Sequence, residues 1–139
     1  MADNFNIIQF LKSAVATGAS DEHLMVGHPP YIRKNGFIKK VNMPPIKKEE
    51  LDNAILEIAP PSIRDRILTL CDVDFMYEIK GCSRFRVNYN RQIGMPALVI
   101  RNISYSIPQL NELSLPDMLG SVVNSQNGII LVTGPTGSG

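Results

Sequence analysis

The sequence predicts an α+β fold, with helices flanking an antiparallel sheet. Three observations carry this. Apolar residues recur at helical spacing near the N-terminus and again around Ile55. Apolar residues recur at every second position from Val73 to Ile79 and again from Phe85 to Tyr89. Asn35-Gly36, a dipeptide suited to the positive φ angles of a tight hairpin turn, sits between two short strand-like runs.

Residues 4–17 carry Ile7, Ile8, Leu11, Ala14 and Val15 and end at Gly18. That is an amphipathic helix closed by a glycine. Ser20 to Val26 alternates loosely and predicts a short strand, which places Asp21 and His23 on one side. Tyr31 to Lys34 and Phe37 to Val41 form the arms of the Asn-Gly hairpin, and Pro44-Pro45 ends it. Leu51, Ala54, Ile55 and Ile58 mark a second helix, stopped by Pro60-Pro61. Pro61 opens a third, expected to carry Ile63, Ile67, Leu70 and Cys71. The period then becomes two. Val73, Phe75, Tyr77 and Ile79 alternate with Asp74, Met76, Glu78 and Lys80. Phe85, Val87 and Tyr89 alternate with Arg84, Arg86, Asn88 and Asn90 after Gly81, and Ala97 to Ile103 comes after Gly94. The expectation is an antiparallel meander with one wet face. The irregular stretch Pro108 to Pro116 is the best boundary, so residues 1–107 and 108–139 are read as two domains. A short helix from Pro116 should end near Asn127-Gly128 and feed a last strand.

Composition narrows the function classes. The 139 residues are 44% apolar with a formal charge of +1, so a core is available and bulk charge nominates no polyanionic partner. The N-terminus lacks a basic and then apolar leader, and no apolar stretch approaches the ~20 residues of a membrane span. A cytoplasmic protein with no membrane insertion is expected. Cys71 and Cys82 are too far apart for C-x-x-C chemistry and read as buried or half-buried free thiols. With His23 and His28 the only histidines, no metal site is expected.

The most specific motif is at the C-terminus. Gly128 to Thr133 is a continuous apolar, β-branched run, as in a buried parallel strand. Gly134, Pro135, Thr136, Gly137, Ser138 and Gly139 then fill the G-x-x-x-x-G of a phosphate-binding loop. In such a loop, successive backbone N–H groups and the N-terminus of the next helix converge on phosphates. The Lys and the Mg²⁺-binding Ser/Thr of the motif would come next. The chain is therefore expected to be the front part of a nucleotide triphosphatase, inactive and only feebly ATP-binding by itself. The alternative is a non-enzymatic sensing or docking module ending in a flexible tail.

Several segments resemble one family, in family order. Gly18-Ala19-Ser20-Asp21-Glu22-His23-Leu24 and Gly27-His28-Pro29-Pro30-Tyr31-Ile32-Arg33 are similar to its "GASD-x-HL … G-x-PP-x-x-R" opening. Asp74-Phe75, Gly81 and Arg84-Phe85-Arg86-Val87-Asn88 match "D-F … G … RFRVN", and Ile100-Arg101-Asn102-Ile103 matches "FR-x-I". Leu131 to Gly139 matches "LVTGPTGSG". The family is that of the twitching-motility ATPases, the pilus retraction motors of the type II/IV secretion ATPase superfamily. Two departures stand out: Glu22 replaces the usual apolar residue, and Asn35-Gly36 stands where the family often has Asp-Gly. The short lead before Gly18 resembles retraction motors more than extension or secretion members.

The resemblance implies a PAS-like N-terminal domain joined to a RecA-like ATPase domain in a homohexameric ring, using ATP and Mg²⁺. It also implies a position at the cytoplasmic face of the inner membrane, against a pilus platform protein. Within the family, arginines of the N-terminal domain reach the nucleotide held by the ATPase domain; the matching positions are Arg86 and Arg101, with Arg84 a weaker third.

Spacing alone says less. Period two puts Arg84 and Arg86 on the polar face about 7 Å apart, where spacing alone favours a solvated sheet face. Arg101 interrupts the apolar run Ala97 to Ile100, so its charge needs a partner or a wet cleft. A guanidinium suits a phosphate because its fork donates two parallel hydrogen bonds and stays charged. Asp21 and His23 fit either a polar contact with a neighbouring domain or a capping turn. Arg84, Arg86 and Arg91 interleave with Phe85 and Tyr89, as on nucleic-acid surfaces. The near-zero net charge and the opposite facing of the aromatics argue against a nucleic-acid partner.

Overall fold

The computed structural model describes residues 5–107, 109–112, 116, 118–122, 124–131 and 133–134. It divides into two compact units, Met1–Tyr105 and Ser106–Gly139.

The first unit is α+β. Helix α1 (Ile7–Ala16) begins at Asn6, whose side-chain oxygen accepts the Gln9 N–H at 2.8 Å. It buries Ile7, Phe10, Leu11 and Ala14, one helical stripe, and turns out of the helix at Gly18 with φ +78°. Helix α2 (Lys48–Ile58) starts with the Glu50 carboxylate accepting the Lys47 N–H at 2.8 Å, and it buries Leu51, Ala54, Ile55 and Ile58. The expected third helix is shorter than its apolar pattern. Helix α3 covers only Pro61–Arg64, and a separate 3-10 turn spans Ile67–Thr69. Only Ile67 is fully buried there, and so short a segment has little packing with which to extend a helix. Cys71 is exposed and Cys82 half-buried, so the reading of Cys71 as sheltered is corrected: it lies between this broken segment and the strand that begins at Asp72 rather than on a helix face.

Six strands form one antiparallel sheet: β1 (Asp21–Met25), β2 (Tyr31–Lys34), β3 (Phe37–Lys40), β4 (Asp72–Ile79), β5 (Ser83–Gln92) and β6 (Met95–Ile103). The order is β3-β2-β1-β6-β5-β4. Asn35 and Gly36 take φ +52° and +80°, the two left-handed positions of the turn between β2 and β3. Two meanders, one from each half of the unit, are thus joined side by side where β1 pairs with β6.

Both helices contribute to the core on one face of this sheet. Phe85, Val87 and Tyr89 of β5, Leu98 and Ile100 of β6, and Leu24 of β1 are fully buried with them. Each such side chain stabilises by about 1.5–3 kcal/mol through the apolar area removed from water. The strict alternation then turns Arg84, Arg86, Arg101, Asp21 and Asp74 to the other face.

The second unit has a 3-10 turn at Leu110–Glu112 and a short helix α4 (Met118–Val122). The strand expected over 128–133 is not formed among the described residues. Ile129, Ile130 and Leu131 have no ladder partner and are exposed. A continuous apolar run becomes a parallel strand only beside a parallel neighbour. No described residue after Ile103 is buried. Ending the chain after Glu112 should therefore leave the far-UV circular dichroism of the first unit intact and improve solubility, by removing an exposed apolar run. Loss of the folded signal would show that the first unit depends on the residues after Glu112. Among the described residues, no helix is long and apolar enough to cross a membrane.

Candidate functional site: paired arginines on the open sheet face

Arg86 of β5 and Arg101 of β6 are direct cross-strand partners. Their opposition comes from the hairpin between β5 and β6, which aligns the two strands from Gln92↔Met95 to Arg84↔Ile103. Like charges placed opposite each other on a sheet repel, so the pair needs anions nearby. Two carboxylates supply them. Arg86 Nε donates to Asp74 Oδ1 at 3.2 Å, and Arg101 Nε donates to Asp21 Oδ1 at 3.0 Å. Asp21 also faces Arg33 Nε at 3.5 Å from its other oxygen, which accepts the Ser20 hydroxyl at 2.9 Å. Across the strands the row runs Arg33, Asp21, Arg101, Arg86.

Asp21, Asp74, Arg86, Asn88, Val99 and Arg101 line a cavity of about 240 Å³ on this face. Two arginines and two aspartates balance within this lining, and Arg33 meets Asp21 beside it. Burial raises the pKa of Asp21, but hydrogen bonds from Arg101 and Ser20 and the charges of Arg101 and Arg33 leave it below the usual carboxylate value. Its charge is thus secure at neutral pH. The His23 imidazole, next on this side of β1, is pushed to a lower pKa by burial and by Arg33, so neutral imidazole is favoured there.

Arg84 shares the face but not the pair. Its guanidinium stacks over the Tyr105 ring at 5.2 Å, and Tyr105 hydrogen-bonds Glu78. Of the glycine-rich loop, Gly134 is exposed, and Pro135, Thr136, Gly137, Ser138 and Gly139 lie outside the described residues. A larger cleft of about 580 Å³ lies elsewhere, between α1 and the segment after β3, lined by Phe5, Phe10, Ile32, Val41, Met43 and Ile46 among others. Its lining is mainly apolar and includes Glu50 but no arginine or lysine, so it offers no cationic donor to an oxyanion.

Sequence reasoning gives no partner to Asp21, Asp74 or Arg33. Each stands in a segment of the resemblance, but only the strand register shows which arginine it meets.

No protein-family model matches the chain. It is 36% identical over 135 residues to the type IV pilus retraction ATPase PilT of Pseudomonas aeruginosa, covering 96% of this chain and 39% of that protein. It is 32% identical over 136 residues to a twitching motility protein of Neisseria gonorrhoeae, covering 97% of this chain and 36% of that one. The crystal structure of the pilus retraction motor PilT with bound ADP matches with a TM-score of 0.78 and 33% identity, over 96% of this chain and 39% of that chain. The chain thus spans under two fifths of the length of these relatives. Its sequence, sheet and flanking helices are similar to those of these pilus-motor proteins. Together the matches fit the N-terminal part of a type IV pilus retraction ATPase.

Proposed function

We propose that this chain is the regulatory clamping part of an ATP-driven motor that retracts type IV pili. In this reading residues 1–107 form a PAS-like domain, and residues 108–139 begin a RecA-like ATPase domain whose loop from Gly134 to Gly139 binds ATP with Mg²⁺. Arg86 and Arg101 reach across to the phosphates, within a subunit or from a neighbour in a homohexameric ring. The ring works in the cytoplasm at the inner membrane, against the platform protein of the pilus. The single observation that carries the reading is the Arg86–Arg101 pair: two guanidinium groups opposed on an open sheet face, lining one cavity with the two aspartates that hold them.

The chemistry suits a nucleotide. Bound ATP presents a charged phosphate group, and Mg²⁺ would neutralise part of its charge and that of the transferring group. The arginines would draw the two domains together over it, excluding water and holding the γ-phosphate in line. Closure on binding and opening after hydrolysis would then turn one domain against the other.

The test is a structure of the full-length ring with Mg²⁺ and a non-hydrolysable ATP analogue. The reading expects Arg86 and Arg101 within hydrogen-bond distance of the phosphates in at least one closed subunit interface. A ring in which both face solvent at every occupied site would refute it.

A further inference from the structure

We infer that Asp21 is a positioning residue, which fixes the direction in which Arg101 presents its fork; this rests on the clamping role proposed for Arg101.

A guanidinium can be held along its Nε side or at its terminal fork. Arg101 is held by Asp21 through Nε alone, at 3.0 Å, and among the described residues its two terminal nitrogens make no hydrogen bond. The carboxylate therefore does not compete for the end that would meet a phosphate. It restrains the side chain and leaves the fork open, which is how a supporting residue lowers the entropy lost when a ligand arrives.

Asp21 is itself well fixed. Its side chain is only 11% exposed, and it accepts from Ser20 and faces Arg33 as well as Arg101. Ser20 is pinned in turn, its N–H donating to the Arg33 carbonyl at 2.8 Å. Asp74, which holds Arg86 in the same manner, is 49% exposed and forms no other ion pair among the described residues. An exposed pair of that kind restrains little. The two arginines are thus unequally prepared: Arg101 is aimed by a buried carboxylate, and Arg86 is held loosely. Asp21 also meets Arg33, at 3.5 Å from its other oxygen.

Two measurements test this. In the 139-residue chain, the Arg101 Nε–H should give a separate, exchange-protected NMR signal. Asp21→Asn should abolish that protection while leaving the backbone amide spectrum of the sheet in place. In the full-length motor, Asp21→Asn should lower kcat about 10- to 100-fold, as expected for lost positioning, with little change in KM for ATP. It should have no further effect in an Arg101→Ala background, and Asp21→Glu should restore part of the rate. Unchanged Nε–H protection, or parental turnover in Asp21→Asn beside an impaired Arg101→Ala, would overturn the inference and leave the clamp standing. If Arg101→Ala itself turns over at the parental rate, the clamp falls, and the NMR arm alone decides whether Asp21 orients Arg101.

Discussion

Alanine at Arg86 or at Arg101 in the full-length motor should cut ATP hydrolysis strongly while the N-terminal unit stays folded. Neither side chain packs in the core, and each surface ion pair is worth at most about 1 kcal/mol of stability. Rate is a different matter. An arginine donating to a transferring phosphoryl group contributes on the order of 10³–10⁵ in turnover in other phosphoryl-transfer enzymes. One that mainly closes the interface contributes about 10- to 100-fold through positioning. A loss of at least the smaller size is expected for each variant. Nucleotide affinity should fall only modestly, because the phosphate loop supplies most ground-state contacts. Arg84→Ala is the control, since that side chain is engaged with Tyr105 outside the pair. Steady-state hydrolysis and nucleotide titration of the three variants decide the matter. Parental rates for both Arg86→Ala and Arg101→Ala, with Arg84→Ala inactive, would remove the assignment.

Glu22→Gln should stabilise the domain by about 2–3 kcal/mol at pH 8 and have little effect at pH 5. The cause is the sheet register. Glu22 lies between Ile32 of β2 and Ile100 of β6, on the core-facing side of β1, and is completely buried. One carboxylate oxygen accepts from the Asn102 amide at 2.9 Å; the other has no partner among the described residues. Burial, opposed by the Asn102 hydrogen bond and aided by the Asp21 charge, pushes its pKa up to about 7. The unfolded chain releases this proton near pH 4.5 and the folded chain near 7, so between those values the folded state holds more protons. Stability therefore falls as pH rises through that window, by about 3 kcal/mol in all. The neutral amide of Gln keeps the shape and an acceptor for Asn102 and does not titrate. His23, whose folded pKa is lowered, acts in the opposite sense below about 6.5 and cancels in the comparison of variant with parent. Asp21, also lowered, loses its contribution only at more acid pH. Urea unfolding of both proteins from pH 5 to 8 reads the effect directly. Parallel stability curves across that range would mean that Glu22 stays charged, or finds a partner, in the folded state.

The first two helices and the 73–103 meander are legible because their signals are local: apolar stripes, period-two alternation, and a glycine in each turn between strands. So is the Asn35-Gly36 turn. Arg86 and Arg101 stand out through motif resemblance, and their opposition needs only one hairpin. The pairing of β1 with β6 is not legible. Asp21 and Arg101 are 80 residues apart, and a non-local pair leaves no periodic trace in either segment. The partners of the site stay hidden for that reason. Glu22 is visible in the sequence as a departure, but its cost emerges only once both neighbouring strands are known. The stretch after Pro61 and the run at Ile129 to Leu131 show the converse. Each carries an apolar pattern, but the first is broken into two short turns around the buried Ile67, and the second is exposed with no strand beside it among the described residues.

The joining of the two meanders also has a kinetic meaning. The β2–β3 and β4–β5–β6 pairings close over short loops, whereas β1 against β6 must close a chain segment of some 80 residues. Closure entropy of that kind is met before the contacts that repay it are made, so this seam should form late in folding and open early. Substitutions along it, at Asp21 or Leu24, should then shorten the lifetime of the native domain while leaving its folding rate nearly unchanged. How long an assembled arginine row persists is set at a junction that neither arginine pair by itself holds shut.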